Sequence, residues 1–302
     1  MPQDNGLCAF AYNNDQINYV EMAYICALHA KAHLKNNNFC LITDEGSLSY
    51  MKQLYKPKIL KKVIDVVMIT ENPLDNMGDD KNVRQHFDSP WTEFRAPFIN
   101  SNKHEVYQIT PYDKTILIDL DYLVMSKMLD SYFEMNSPIG MFVNAKNIRG
   151  NNPLWKEIWL HNAGIKMKWS TVIAFDKSDE AKIFFDMWEY VKDNYNYFKF
   201  LYNFPQGLYR TDYCVSIASH IMSDSKESNW YNFNERMYFS DQKDEIYDFN
   251  DGIYSIMAND QKENWKDIPV AWKNVDLHMM NKRSISRIAP KVIEYYEKEL
   301  NL

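Results

Sequence analysis

The sequence reads Thr115-Ile116-Leu117-Ile118-Asp119-Leu120-Asp121-Tyr122-Leu123-Val124 near the middle of a chain of 302 residues. The apolar run at 115–118 predicts a buried strand, because near-continuous apolar runs are typical of strands covered on both faces. Asp119 and Asp121 follow at its carboxyl end, where both carboxylates can face one small volume. Their hard oxygen atoms suit a divalent cation, or a phosphate that such a cation bridges. The structural alternative is a turn-forming or helix-capping aspartate.

Three further apolar segments precede this one. The runs at 7–12, 39–43 and 63–69 predict buried strands, and helical spacing is expected between them, including a helix at about 47–55. Strands that alternate with helices imply crossover connections and a largely parallel sheet. We therefore expect an α/β fold with a Rossmann-like, mainly parallel central sheet flanked by helices.

The rest of the chain is less regular. Polar residues and prolines at 71–90 predict a long surface loop, and 91–99 is predicted to be helical. Further strands are expected at 139–143, 169–175, 252–257 and 269–277, and further helices at 179–195, 210–222 and 288–300. No convincing linker divides the chain, so one domain over 1–302 is expected, with an irregular C-terminal half. Its nucleotide-binding half is placed at about 1–125 and its acceptor and sugar half at about 126–302.

Composition excludes some classes of function. The chain carries 34 basic and 41 acidic side chains, and no block of basic residues stands out, which argues against bulk nucleic-acid binding. The four cysteines have no metal-ligand spacing and predict buried free thiols in a reducing compartment. The N-terminus lacks a signal-peptide pattern, and the apolar runs are too short to span a bilayer. These features predict a soluble cytoplasmic protein, and they leave its oligomeric state open.

A second candidate region lies near the end of the chain. His278 leaves a predicted late strand, where an imidazole is a candidate third ligand to a divalent ion bound by the aspartate pair. Lys282 follows closely and is a candidate to hold a phosphate as a point charge. The alternative is a histidine near the surface whose hydrogen bonds are satisfied by the protein.

Two charged residues elsewhere have open alternatives. Asp212 begins a predicted helix, and it is either a helix cap or a cleft residue that binds hydroxyl groups and stabilises positive charge on a sugar. Arg95 precedes the aspartate pair, and it either meets a diphosphate or pairs with Glu93 or Asp88 at the surface.

The first predicted strand ends in polar residues. Tyr12, Asn13 and Asn14 lie at its carboxyl end, and the carboxyl ends of strands form the ligand crevice of an open parallel sheet. Tyr12 is a candidate to stack on a nucleotide base there. Packing of its ring in the core is the competing interpretation.

Taken together, these residues resemble the metal-dependent nucleotide-sugar glycosyltransferases of the GT-A fold. The closest similarity is to family 8, the galactosyltransferase and glycogenin-like group. The resemblance is carried by the first strand at 9–12 with its polar loop, by Arg95, by the aspartate motif at 119–124, and by His278 and Lys282 near the end of the chain. The terminal element of that family is longer and includes a glycine, which Met279-Met280-Asn281 replaces here.

The resemblance implies a manganese or magnesium ion held by Asp119, Asp121 and His278. It also implies a nucleotide-diphosphate sugar, most often a UDP-sugar, whose sugar passes to an acceptor hydroxyl in a retaining hexosyl transfer. Asp212 takes roughly the place of a family aspartate near the sugar and acceptor. The residues expected to bind the sugar nucleotide are Ala11, Tyr12, Asn13, Arg95, Asp119, Leu120 and Lys282.

Three other functions compete with this one. A phosphatase of the haloacid dehalogenase type also uses two aspartates after a strand, but that motif opens its domain, and it carries threonine or valine where this chain has Leu123. A sugar-phosphate nucleotidyltransferase needs a glycine-rich loop after the first strand, and 12–16 contain no glycine. A binding protein that keeps the fold without turnover is the non-catalytic alternative.

Overall fold

The computed structural model describes residues 3–73, 83–98, 100–150, 158–160, 164–204, 208–223, 232–260 and 266–302. In the first part of the chain the strands are β1 Gln3–Ala11, β2 Phe39–Thr43, β3 Val66–Ile69, β4 Val83–Phe87, β5 Glu93–Pro97, β6 Tyr112–Ile118, β7 Tyr122–Leu123, β8 Ile139–Phe142 and β9 Ala145–Asn147. In the second part they are β10 Trp159–Leu160, β11 Ile165–Lys166, β12 Trp169–Asp176, β13 Met237–Phe239, β14 Glu245–Asn250, β15 Ile253–Asp260, β16 Lys266–Trp272 and β17 Leu277–His278.

The helices are α1 Tyr19–His33, α2 Glu45–Leu54, α3 Pro57–Val63, α4 Val106–Ile109, α5 Asp130–Phe133, α6 Asp179–Asp193, α7 Tyr195–Leu201, α8 Thr211–Met222 and α9 Lys282–Glu299. A 3₁₀ helix at Asn100–Glu105 precedes α4. Side chains cap several of the long helices: Asn18 accepts from the Glu21 amide at the start of α1, and Asn281 accepts from the Ser284 amide at the start of α9. None of the helices that the structure describes is long and apolar enough to cross a bilayer.

The central sheet has the strand order β3-β2-β1-β6-β12-β8 among the described residues. β1 pairs in parallel with β2 and with β6, β2 pairs in parallel with β3, and β12 runs antiparallel between β6 and β8. The predicted α/β class with a mainly parallel sheet is therefore confirmed.

Alternation along β1 divides the core between the two faces of the sheet. Leu7, Ala9 and Ala11 contact the apolar cluster that contains α1 and α9, while Cys8 and Phe10 contact the cluster that contains α6 and α8. Successive side chains of a strand point to opposite faces, so a continuous apolar run is needed where both faces are covered. This burial explains why the predicted strands at 7–12 and 39–43 could be recognised from composition alone.

A second sheet, in the order β7-β17-β13-β9, joins the aspartate motif to the C-terminal half. β17 pairs antiparallel with β7 and parallel with β13, so His278 lies opposite Tyr122 and Phe239. This pairing brings residues more than 150 positions apart in the sequence to the end of β6. The C-terminal half also contributes an antiparallel sheet of β14, β15 and β16 among the described residues.

Several predicted boundaries and one predicted element were wrong. The segment 91–99 is not helical, because Glu93–Pro97 pairs antiparallel with Val83–Phe87. The loop predicted at 71–90 therefore includes β4, and its residues 74–82 lie outside the described residues. Val63 ends α3 instead of starting a strand, and α9 begins at Lys282 instead of Ile288, with Pro290 inside it. Leu277 belongs to β17 and not to the strand before it.

Candidate active site

The turn after β6 positions the two aspartates. The Asp119 amide donates to the Thr171 carbonyl of β12 at 2.8 Å, and the Tyr122 amide donates back to the Asp119 carbonyl at 3.0 Å. The Asp121 carbonyl accepts from the Met279 amide just after β17 at 2.7 Å. The backbone of the motif is thus fixed on both sides, which holds the two carboxylates in place.

Asp119, Asp121 and His278 form the one cluster of histidine, cysteine or carboxylate side chains among the described residues that could hold a metal ion. Their candidate ligand atoms all lie within 4.8 Å of one another. His278 Nε2 lies 3.5 Å from Asp121 Oδ1, and His278 Nδ1 lies 3.4 Å from the Thr171 hydroxyl. With a metal ion bound, a proton on Nδ1 directed at Thr171 would leave the Nε2 lone pair for the ion. Two carboxylates and a neutral imidazole fit a divalent ion such as manganese or magnesium.

Two lysines hold the carboxylates as ion pairs. Lys282, in the first turn of α9, pairs with Asp121, and Lys103, in the 3₁₀ helix, pairs with Asp119. Lys282 was a candidate from the sequence. Lys103 was missed, because it lies in a polar stretch with no periodicity to indicate that it is buried; its exposed fraction is 5%.

The two aspartates differ in their electrostatic environment. Burial raises the pKa of Asp119, and the opposing charge of Lys103 does not fully offset that effect. Burial acts on Asp121 in the same direction, but Lys282 and His278 outweigh it and hold the pKa of Asp121 far below its usual range. Burial lowers the pKa of Lys282, and the charge of Asp121 more than compensates and raises it above its ordinary value. Asp121 and Lys282 are therefore both charged at neutral pH.

The hairpin of β4 and β5, residues 83–97, packs against the start of α9 beside Lys282. The Asn281 side chain donates to the Asp88 carbonyl at 3.3 Å, and Arg287 pairs with the Asp88 carboxylate at 2.7 Å. The Arg283 guanidinium lies 3.8 Å from the centre of the Phe94 ring. The hairpin thus forms one side of the candidate site.

The two faces of this hairpin separate its arginines. Arg84, His86 and Phe94 share the inner face, whereas Arg95 lies opposite Gln85 on the outer face and is exposed. Burial lowers the pKa of His86 to about 4, with contributions from Lys282 and Arg84, so His86 is neutral at the site. The structure does not bring Arg95 to the aspartates, and its diphosphate role stays a prediction. Arg84 was missed, because a polar strand has no apolar pattern to reveal which face is covered.

Asp212 lies in the first turn of α8, and its carboxylate points toward β12. The Ser170 amide and hydroxyl donate to Asp212 Oδ1 at 3.0 and 2.8 Å, and Arg210 donates to Oδ2 at 3.0 Å. The carboxylate therefore does not cap its helix. Burial raises the pKa of Asp212, but Arg210 and Ser170 outweigh it and the pKa is lowered. Ser170 precedes Thr171, so β12 positions both Asp212 and the aspartate motif.

The remaining predicted residues lie at the carboxyl ends of β1 and β6. Asn13 uses its side chain to begin α1, since Oδ1 accepts from the Val20 amide at 2.9 Å. Tyr12 is packed in the core and its hydroxyl bonds Thr70 at 2.6 Å, while burial raises its pKa to about 12. Ala11 and Leu120 are buried. Core packing of the Tyr12 ring is thus observed, and a role for these residues in nucleotide binding remains a prediction.

The chain aligns with several solved glycosyltransferase structures at low similarity. It aligns with the glycosyltransferase GlyE of Streptococcus pneumoniae TIGR4 over 76% of its own length and 45% of that chain, at 9% identity and a TM-score of 0.41. The alignment with the galactosyltransferase LgtC covers 71% of this chain and 70% of that chain, at 11% identity and a TM-score of 0.44. The alignment with mouse xyloside xylosyltransferase 1 covers 74% of this chain and 83% of that chain, at 12% identity and a TM-score of 0.41. The chain thus spans less than half the length of the GlyE chain.

No protein-family model matches this sequence, and no curated protein matches it by sequence. The function of the chain therefore has to be argued from the site.

Proposed function

We propose that this protein is a metal-dependent glycosyltransferase that moves a sugar from a nucleotide-diphosphate sugar to an acceptor hydroxyl. The observation that carries the proposal is the group of Asp119, Asp121 and His278 at the carboxyl end of β6, with Lys103 and Lys282 in contact with its carboxylates. A UDP-sugar, manganese and a retaining hexosyl transfer are the finer parts of the proposal, and they rest on the resemblance in the sequence motifs.

The charges of the site support a substrate with more than one phosphate group. A bound divalent ion would be neutralised by Asp119 and Asp121 together, which would leave Lys103 and Lys282 without their present partners. Uncompensated cations in a partly buried cleft are unfavourable unless an anion enters with the metal. A diphosphate supplies that anion, and the lysines would hold its oxygen atoms as point charges.

The residues have distinct roles in the proposed reaction. A bound manganese or magnesium ion would act as a Lewis acid for the departing nucleoside diphosphate. Asp119, Asp121 and His278 would hold the ion, and Lys282 and Lys103 would balance the charge of the diphosphate. Asp212, kept ionised by Arg210, would bind the sugar or acceptor hydroxyls or stabilise positive charge that develops on the sugar.

The phosphatase alternative receives less support. β6 is not the opening strand of its sheet, since β1, β2 and β3 precede it in the chain and belong to the same sheet. A location in the cytoplasm remains part of the proposal, because the four cysteines are buried and free, as expected in a reducing compartment.

The first test is thermal unfolding with a panel of nucleoside diphosphates and sugar nucleotides, with and without manganese. A ligand that binds only the folded state raises the melting temperature by mass action. We expect a shift that requires both manganese and one nucleoside diphosphate. The corresponding nucleoside-diphosphate sugar is then incubated with manganese, and release of the nucleoside diphosphate is followed. Release of sugar 1-phosphate would indicate nucleotidyl transfer instead.

Asp121→Asn tests the site within the same assay. The substitution removes the charge and preserves the shape, so we expect the manganese-dependent shift and the release of nucleoside diphosphate to be lost. Asp248→Asn is the matched control, because Asp248 is an aspartate that pairs with Lys291 at the surface. Full metal-dependent activity in the Asp121 variant would sink the proposal, and a shift produced only by metal with simple phosphate esters would favour the phosphatase.

A further inference from the structure

Arg84 lies on the inner face of the β4–β5 hairpin, at the side of the candidate site. It pairs in register with Ala96, which is fully buried, whereas the neighbouring Gln85 pairs with the exposed Arg95. Because side chains alternate between the two faces of a strand, the register places the two arginines on opposite sides of the hairpin. Arg84 is therefore the arginine of this hairpin that faces the protein.

Arg84 has no ion-pair partner among the described residues. Its guanidinium carbon lies 3.4 Å from the centre of the Phe98 ring, and Nη2 donates to the Tyr209 carbonyl at 2.6 Å. In the part of the chain that the structure describes, no carboxylate pairs with Arg84, and its strongest charged neighbour is the like-charged Arg210. Burial, together with Arg210, lowers the pKa of Arg84 to about 10, so it remains charged at neutral pH.

Arg84 lies between the two halves of the candidate site. On one side it is held at the Tyr209 carbonyl, three residues from Asp212, whose charge it also feels. On the other side, the hairpin that carries it packs on the start of α9, where Lys282 pairs with Asp121. A group that joins the metal-binding aspartates to Asp212 would therefore pass beside the guanidinium.

We propose that Arg84 binds the phosphate to which the donor sugar is attached and that it makes the site selective for nucleoside diphosphates over monophosphates. This inference rests on the proposed function. A guanidinium presents a fork of N–H donors that matches phosphate oxygens, and Tyr209 occupies only one of its nitrogens among the described contacts. The phosphate nearest the sugar is the one expected between the metal ligands and Asp212, and it gains negative charge as the sugar leaves.

The selectivity follows from the separation of the cations. Lys103 and Lys282 contact the aspartates directly, so they and the metal are placed to serve the phosphate nearest the ion. Arg84 belongs to neither of those ion pairs, and in the described contacts its guanidinium donates one hydrogen bond, so a second phosphate is the group we assign to it. Loss of Arg84 should therefore weaken binding of a diphosphate and leave binding of a monophosphate almost unchanged.

The test measures dissociation constants by calorimetry in manganese for the nucleoside diphosphate that stabilises the protein, for its monophosphate and for inorganic pyrophosphate. A charge-assisted contact with phosphate predicts that Arg84→Gln weakens diphosphate binding about 10- to 100-fold and monophosphate binding less than about 3-fold. Pyrophosphate should follow the diphosphate. Arg236→Gln is the matched control, because Arg236 is an exposed arginine just before β13 with no role in the proposed site, and it should bind all three ligands as the unmodified protein does.

Arg84→Lys tests whether the effect of Arg84→Gln comes only from lost packing against Phe98. It retains the charge and loses the fork, so an intermediate loss of diphosphate affinity is expected with the monophosphate unaffected. Diphosphate binding at full strength in both Arg84 variants, or an equal loss for the diphosphate and the monophosphate, would overturn the role of Arg84. If the unmodified protein binds none of these ligands in manganese, the proposed glycosyltransferase function fails first, and the Arg84 role fails with it.

Discussion

Replacement of Lys282 by methionine is the sharpest test of the electrostatic balance at the aspartate pair. The change removes the charge that contacts Asp121 and keeps much of the apolar stem of the side chain. Asp121 is 4% exposed, so its carboxylate would remain buried, with His278 as its remaining ion-pair partner among the described residues and the like-charged Asp119 close by. Removal of one partner of a buried ion pair costs about 3–5 kcal/mol. The side chain of Lys282 is 20% exposed and His278 remains, so we expect the lower end, about 3 kcal/mol.

The assay is urea unfolding in the presence of a chelator, with and without a second change, Asp121→Asn. In the double variant, the loss of Lys282 leaves no Asp121 charge without a partner. The free energy of unfolding of the double variant should therefore be within about 1 kcal/mol of that of Asp121→Asn alone. Lys291→Met is the control, because the Lys291 pair with Asp248 is exposed at the surface, and we expect its unfolding midpoint to be unchanged. A loss below about 1 kcal/mol in Lys282→Met would refute the reasoning.

Manganese provides a second readout for the same variant. A divalent ion bound by Asp121 supplies the positive charge that the lysine no longer provides. We therefore expect manganese to raise the melting temperature of Lys282→Met more than that of the unmodified protein. An equal or smaller rise would show that the ion and the lysine do not serve the same carboxylate.

Two further predictions concern Asp212 and a buried histidine. Asp212→Asn should lower turnover about 100-fold, with the dissociation constant of the donor nearly unchanged. If the folded variant turns over as fast as the unmodified protein, Asp212 is only a structural partner of Arg210. His29 is fully buried between the Val124 carbonyl and the Tyr254 hydroxyl, and burial lowers its pKa to about 3. The unfolded chain binds this proton near pH 6.5 and the folded protein does not, so stability falls as pH drops from about 6.5 toward 3, by about 2 kcal/mol at pH 5. Urea unfolding at pH 7.5 and pH 5 should show this loss in the unmodified protein and a correspondingly smaller loss in His29→Gln.

Much of the central sheet could be predicted from local sequence. β1 and β2 are covered on both faces, and such burial requires a continuous apolar run that is visible without any alignment. The helix α6 was also predictable, because its apolar residues recur at helical spacing on one buried side. α8 is buried along most of its length, and its small residues indicated close packing. The position of Asp119 and Asp121 at the end of β6 followed from the same pattern.

The β4–β5 hairpin was not predictable in this way. Its strands alternate between half-buried and exposed residues that are mostly polar or charged, so neither a strand period of apolar residues nor a face could be read from them. The segment 91–99 was therefore predicted as a helix. Arg95 was predicted to face the diphosphate, whereas the structure places Arg84 on the inner face of the hairpin and Arg95 on the outer face. Strand pairing with 83–87 decided both points.

The sequence by itself determined the α/β class, the main buried strands and the two aspartates at a strand end, because these depend on local apolar patterns and on the reach of adjacent residues. Only the tertiary structure decided which side chains meet those carboxylates. Lys103, Lys282 and His278 reach the site through a 3₁₀ helix, the start of α9 and the pairing of β17 with β7. Ion pairs between distant residues leave no periodic trace in a sequence, since each depends on two surfaces that packing of the apolar core brings together.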